Sequence, residues 1–170
     1  AMIIEELNHA GGNIPMAPNL LIMFDMCEFG NPEQVKYAMD YYKENGYPPY
    51  CLAISEPGAG SDNQGMTTTA TRDADGKIHI NGTKTWVTSG ENSAGFIVVC
   101  KDEDPSRENK EMSMYLVPAD AKGVTIEPLN KIGMQIMPFS MIHYDDVVVD
   151  ESQLLGIKGK GFYQLMKNFE

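Results

Sequence analysis

Two short segments combine residue types suited to holding a flat ligand with a polar edge. The first runs Ile54-Ser55-Glu56-Pro57-Gly58-Ala59-Gly60-Ser61-Asp62, an apolar approach followed by a loop with two glycines and two hydroxyls. Glycine lets a ligand come close to the main chain, where amides and hydroxyls can bond its polar edge. The loop lacks the Gly-Lys-Ser/Thr of a phosphate-binding P-loop and does not open a helix as a dinucleotide fingerprint does. A tight turn would by itself account for Gly58 and Gly60. The second segment, Asn81-Gly82-Thr83-Lys84-Thr85-Trp86-Val87-Thr88-Ser89-Gly90, holds the only tryptophan of the chain. Strand geometry alternates side chains with period two, so Trp86 and Thr88 point the same way. An indole that packs on a ring face and a hydroxyl that donates to a ring nitrogen suit a redox heterocycle. A tryptophan on a strand is otherwise an ordinary core residue.

Other chemistry-bearing residues point to less. Gly156-Ile157-Lys158-Gly159-Lys160-Gly161 reads as a connection before a helix rather than a phosphate cradle. Cys27, Cys51 and Cys100 are odd in number, form no C-x-x-C pair and lie in apolar stretches, as reduced core thiols of a cytoplasmic protein do. His9, His79 and His143 are too widely spaced in sequence to suggest a metal site, and no metal is expected.

These residues must be positioned by the elements around them. Leu20, Met23, Phe24 and Cys27 recur at helical spacing after a possible Asn19 cap, and Gly30 ends that helix. Asn31-Pro32-Glu33-Gln34 restarts one: Asn31 as N-cap, Pro32 in the first turn where its missing N–H costs nothing, and Gln34 reaching back as in a capping box. Val35, Ala38, Met39 and Tyr42 form its expected buried stripe, and Gly46 and Pro48-Pro49 terminate it. From Tyr50 the period becomes that of strands, expected over 50–54, 67–72, 77–81, 83–88, 96–101, 112–117, 124–129, 141–144 and 147–149. Asp73-Ala74-Asp75-Gly76 is a hairpin turn by residue type, which sends His79 to solvent opposite Ile78 and Ile80. The charged run 102–111 reads as an exposed loop. Residues 161–170 open another helix, with Phe162, Leu165, Met166 and Phe169 on one face.

The fold class that follows is α+β, mainly β: short N-terminal helices, an antiparallel β-barrel or sandwich, and the start of a C-terminal helix. The last helix stops with its apolar stripe uncovered, so the chain reads as part of a larger protein. The expected division is residues 1–49 as the end of a helical domain, 50–156 as the middle β domain, and 157–170 as a linker and the first turns of a C-terminal helical domain. The chain has 170 residues, 42% hydrophobic and 22% charged, as an ordinary globular domain does. A net charge of −11 repels large polyanions, which excludes nucleic acid as a partner. No window is apolar enough to span a bilayer, and no secretory signal opens the chain.

Taken together, the segments Glu56-Pro57-Gly58-Ala59-Gly60-Ser61-Asp62 and Asn81 to Gly90 closely resemble the acyl-CoA dehydrogenase family. The resemblance extends through Met114 to Pro118, Lys131-Ile132-Gly133-Met134, Val147-Val148-Val149-Asp150 and Leu154-Leu155-Gly156 to Gly161-Phe162, covering Leu20 to the end. The tail from Gly161 and the loop at 54–62 look like the branch acting on carnitine-type thioesters, crotonobetainyl-CoA reductase. The resemblance implies an FAD-dependent oxidoreductase of the CH–CH group of acyl-CoA thioesters. Leu52, Ala53, Ile54 and Ser55 match the strand lining FAD, and Glu56, Pro57, Gly58, Ala59 and Gly60 continue along it. Ser61 matches a position touching both cofactor and acyl-CoA, and Trp86, Val87 and Thr88 match the second flavin wall, with Thr88 near N5. The family usually has threonine at the position of Ser55, and serine keeps the hydroxyl.

The family's catalytic glutamate lies beyond Glu170, so no catalytic residue is expected in this chain and the chain alone is expected to be inactive. Glu170 itself matches a substrate-side contact. The resemblance also implies an electron-transferring flavoprotein as partner and a homotetrameric parent. Two other readings stay open: a non-catalytic β-barrel module that binds a ligand or partner, and a flavin monooxygenase on the same scaffold.

Overall fold

A computed structural model describes residues 5–6, 9–10, 16–103, 111–133 and 135–167. Helices α1 (Met16–Phe29) and α2 (Pro32–Asn45) precede the strands β1 (Tyr50–Ala53), β2 (Thr69–Arg72), β3 (Ile78–Thr88), β4 (Gly95–Glu103), β5 (Met112–Pro118), β6 (Val124–Pro128), β7 (Phe139–Val149) and β8 (Leu154–Leu155), and α3 (Gly161–Lys167) follows. The strands join in the order β6-β7-β3-β2-β4-β5-β8, with β1 also on β4. The fold is α+β and mainly β, as expected, and it is the sandwich form that is realised. Among the described residues the sheet does not close into a barrel. It is also not wholly antiparallel, because β4 pairs in parallel with both β1 and β2.

Strand β4 explains the layering. Its run Phe96-Ile97-Val98-Val99-Cys100 is apolar without alternation and is buried on both faces, the pattern of a strand covered on two sides. Phe96, Val98 and Cys100 face an inner core with Cys51, Ile78, Ile80, Tyr115, Ile142 and Tyr144. Ile97 and Val99 face an outer core with Ile22 and Met26 of α1, Ala38 of α2 and Leu165 of α3. The helices thus lie against one outer face of the sheet.

The local stops and starts follow their chemistry. Asn31 Oδ1 accepts from the amides of Glu33 and Gln34, and Gln34 Oε1 accepts from Asn31 N, so the capping box forms as read. Gly46 ends α2 in the left-handed conformation. Asp73 Oδ1 accepts from the amides of Asp75 and Lys77 to close the β2–β3 turn. His79 lies on the outer side of β3, between Asp146 at 2.7 Å and Asp73 at 3.1 Å, and those two carboxylates raise its pKa.

Several expectations about helix faces are corrected. Helix α1 begins at Met16, so Asn19 lies inside it and not at its cap. Leu20, Phe24 and Cys27 are exposed, while Ile22, Asp25 and Met26 are buried. The helix is apolar nearly all round, and contact with the sheet selects a face that periodicity alone does not. In α2 the buried pair is Gln34 and Ala38, whereas Met39 and Tyr42 are exposed. Gln34 is buried because its amide, Nε2, also donates to the carbonyls of Ser152 and Leu154. In α3 the buried residues are Gly161, Gln164 and Leu165, and Phe169 lies outside the described residues. Asp102 is not in an exposed loop: β4 extends through it, and its buried carboxyl accepts from the hydroxyls of Ser113 and Tyr115. The expected strands 77–81 and 83–88 form one strand, as do 141–144 and 147–149. Each is bent by a bulge rather than broken, with Asp146 and Trp86 in the left-handed region.

A candidate ligand cleft

The second bulge determines which way the tryptophan points. From Ile78 the inward phase of β3 runs through Ile80, Gly82 and Lys84, and unbroken alternation would carry Trp86 inward as well. Instead Lys84 pairs with Ile142 and Val87 with Ser140, so β3 holds one residue more than β7 between those pairs. The extra residue restores Val87 to the core, at 1% exposure, and turns Trp86 outward at 57%. Trp86 adopts φ 57°, a conformation costly for a bulky side chain and one that persists only where the surroundings enforce it. Phe139 supports the indole edge-on at 6.2 Å between centroids.

Trp86 and Thr88 border a cleft of about 830 Å³, lined also by Leu52, Ile54 and Ser55 of the first segment. Helix α1 closes one side through Asn19, Leu21 and Ile22, and Tyr47, Pro48 and Tyr50 form the end. The hydroxyls of Ser55 and Thr88 make no side-chain hydrogen bond among the described residues. An apolar cleft with a few polar groups free to bond its occupant is the general form of a small-molecule site.

The remaining residues of the two segments occupy different places. Ala53 and Val87 are core residues, so only their main chain is near the cleft. Pro57, Gly58, Gly60 and Ser61 are exposed and Ala59 is buried. Gly58 and Gly60 have no positive φ, and a Cβ built on either meets nothing within 4 Å. The tight turn does form, with Ala59 N donating to the Glu56 carbonyl at 3.1 Å, but neither the conformation nor the neighbours of Gly58 and Gly60 in this chain require glycine. Glu170 lies outside the described residues.

Glu56 turns away from the cleft. Its carboxylate accepts from Thr67 N at 2.6 Å, Thr67 Oγ1 at 2.7 Å, Thr68 N at 2.9 Å and Lys84 Nζ at 2.9 Å. Burial pushes the Glu56 carboxyl upward, but the Thr68, Thr67 and Lys84 donors outweigh it and hold the pKa at about 2. Burial lowers the pKa of Lys84. The sequence reading missed Lys84, although a lysine in phase with Ile78 and Ile80 was a signal that a buried partner must exist. It also missed Phe139, which precedes the strand expected there. Among the described residues no group of three or more His, Cys, Asp or Glu side chains is placed to hold a metal, and no helix is long and apolar enough to cross a membrane.

A β sandwich with helices on one face and an apolar cleft edged by hydroxyls unpartnered among the described residues has the general form of a small-molecule-binding β domain. The chain belongs to the acyl-CoA dehydrogenase family, an FAD-dependent family, with residues 51–147 matching the acyl-CoA dehydrogenase middle domain. It is 36% identical to probable acyl-CoA dehydrogenase YdiO of Escherichia coli over 169 residues, which is 99% of this chain and 44% of that protein. The butyryl-CoA dehydrogenase structure from Megasphaera elsdenii superposes with a TM-score of 0.78 at 27% identity, covering 87% of this chain and 38% of that one. An acyl-CoA dehydrogenase from Bacillus anthracis, solved in complex with FAD, gives 0.75 at 30% identity, over 85% of this chain and 24% of that one. The chain thus spans less than half the length of these relatives.

Proposed function

We propose that the cleft is one wall of the FAD site of a larger acyl-CoA dehydrogenase, which oxidises the CH–CH group of an acyl-CoA thioester or runs the reverse reaction. The observation that carries this reading is the bulge that turns Trp86 out of the core beside the unpartnered hydroxyl of Thr88. FAD bound here supplies the acceptor for a hydride from the thioester β-carbon. Trp86 covers a ring face, and Ser55 offers its hydroxyl and amide to a polar ring edge. Thr88 donates a hydrogen bond where ring electron density rises on reduction. Gly58 and Gly60 let the cofactor approach the main chain, and Ser61, exposed at the end of that loop, contacts cofactor and acyl-CoA.

In this reading residues 1–49 end the N-terminal helical domain, 50–156 form the middle domain, and 157–170 begin the C-terminal helices. The general base, a glutamate, comes from the parent protein beyond this chain, and Glu170 contacts substrate. Glu56 is no substitute for that base: its carboxylate is buried, ion-paired and held fully ionised. The parent is a homotetramer that passes electrons to an electron-transferring flavoprotein in the cytoplasm, where Cys27, Cys51 and Cys100 stay reduced.

The test is anaerobic titration of the full-length protein with a panel of acyl-CoA and carnitinyl-CoA thioesters while the flavin absorbance is followed. Bleaching by at least one thioester is expected. Trp86→Ala and Thr88→Val are each expected to lower flavin retention or the rate of reduction, and unchanged behaviour in both would remove the assignment of this strand. The 170-residue chain alone is expected to hold FAD weakly, because one wall does not enclose the cofactor; a stoichiometric yellow complex would contradict this.

A further inference from the structure

Three hydrogen bonds tie the two cleft walls together from beneath. Lys84 Nζ donates to the carbonyl of Ile54 at 2.9 Å and to Glu56 Oε1 at 2.9 Å, and Thr85 N donates to the carbonyl of Ser55 at 2.8 Å. The side chains of Lys84 and Glu56 are 0% and 3% exposed, so this junction is a closed interior contact and not a surface pair. It joins positions about 30 residues apart in sequence, beside Ser55 and Trp86 of the cleft lining. Ser55 is flanked by Ile54 and Glu56, and Lys84 and Thr85 lead directly into Trp86. The Thr67 and Thr68 donors on Glu56 extend the junction to the far end of the 54–68 loop.

We propose that the buried Lys84–Glu56 pair is the positioning element of the site, holding the β3 bulge so that Trp86 faces outward opposite Ser55. The inference rests on the flavin reading for its functional meaning, but its geometry is independent of any cofactor. A buried ion pair is a poor source of stability, since similar apolar groups often serve as well. What the pair supplies is direction. An inward lysine needs an inward acceptor, and meeting that need at Lys84 fixes the phase of the strand just before the bulge.

Trp86 is the only tryptophan of the chain, so its fluorescence reports the wall directly, without flavin. The decisive variant is Lys84→Met with Glu56→Gln, which removes both charges and leaves no buried ion unpaired. This variant is expected to keep the wild-type far-ultraviolet circular dichroism and a cooperative melt. As the indole turns inward, the Trp86 emission maximum should shift to the blue and its quenching by acrylamide should fall. Leu155→Ala, in the outer core and outside the cleft lining, is expected to lower the melting temperature without changing the Trp86 signal of the folded chain. An unchanged Trp86 signal in the folded double variant would overturn the proposal.

A measurement on the unaltered chain covers the case in which the double variant does not fold. The amides of Thr67 and Thr68 have the Glu56 carboxylate as acceptor, so their hydrogen exchange should be about tenfold or more slower than the intrinsic rate. Exchange at the intrinsic rate would overturn the proposal. Neither readout involves FAD, so failure of the parent protein to bind flavin would count against the functional reading and leave this one standing.

Discussion

The floor beneath the cleft and the wall above it are built from closely spaced residues of the same two segments, yet they obey opposite rules. On the floor, Glu56 and Lys84 are buried and hydrogen-bonded to each other and to Thr67, Thr68 and Ile54. On the wall, Ser55 and Thr88 have hydroxyls without side-chain partners among the described residues, and Trp86 is exposed in a left-handed backbone conformation. A chain selected only for stability would have no reason to strain a bulky residue and leave it in water. The contrast teaches that the satisfied groups hold the shape, while the unsatisfied ones carry the proposed ligand contacts.

The largest expected effect lies on the floor. Lys84→Met alone leaves the Glu56 carboxylate buried without its cation and should cost about 3–5 kcal/mol in urea unfolding. The Lys84→Met, Glu56→Gln double variant should recover most of that loss. If the single variant were as stable as wild type, the floor would not be the structural half of the comparison.

Next in size is acid sensitivity. The Glu56 pKa is held at about 2 against an ordinary 4.5, so its contribution is complete above about 4.5 and is lost as pH falls through about 2. Unfolding measured across that window should show a component that the double variant lacks.

The smallest effect sharpens the wall. Gly58→Ala and Gly60→Ala meet neither a clash nor a positive φ, so each should leave the chain as stable as before or more stable by about 0.4–1 kcal/mol. In the full-length protein both should weaken FAD retention. A loss of stability in the chain alone would mean that these glycines serve the fold and not a ligand.

Local chemistry was legible from the residues alone. Asn31 with Gln34 announced a capping box, Asp73 to Gly76 a hairpin, and the run at Phe96 a strand, because each depends on groups a few residues apart. The two ligand segments were legible as residue types, and the cleft does bring Leu52, Ile54 and Ser55 together with Trp86 and Thr88. The helix faces were not legible. Helix α1 is apolar nearly all round, and only the sheet it packs against decides that Ile22 and Met26 go in while Leu20 and Phe24 stay out.

The same division applies to the tryptophan. The sequence by itself determined that an indole and a hydroxyl would stand two residues apart on a strand. It did not determine that they would face outward, because the alternation running from Ile78 and Ile80 points the other way. That was decided by one extra residue in β3 opposite β7, and by a lysine bonded to a glutamate 28 positions earlier in the chain. The physical reason is that strand phase is a property of pairing, and pairing is settled between segments rather than within them.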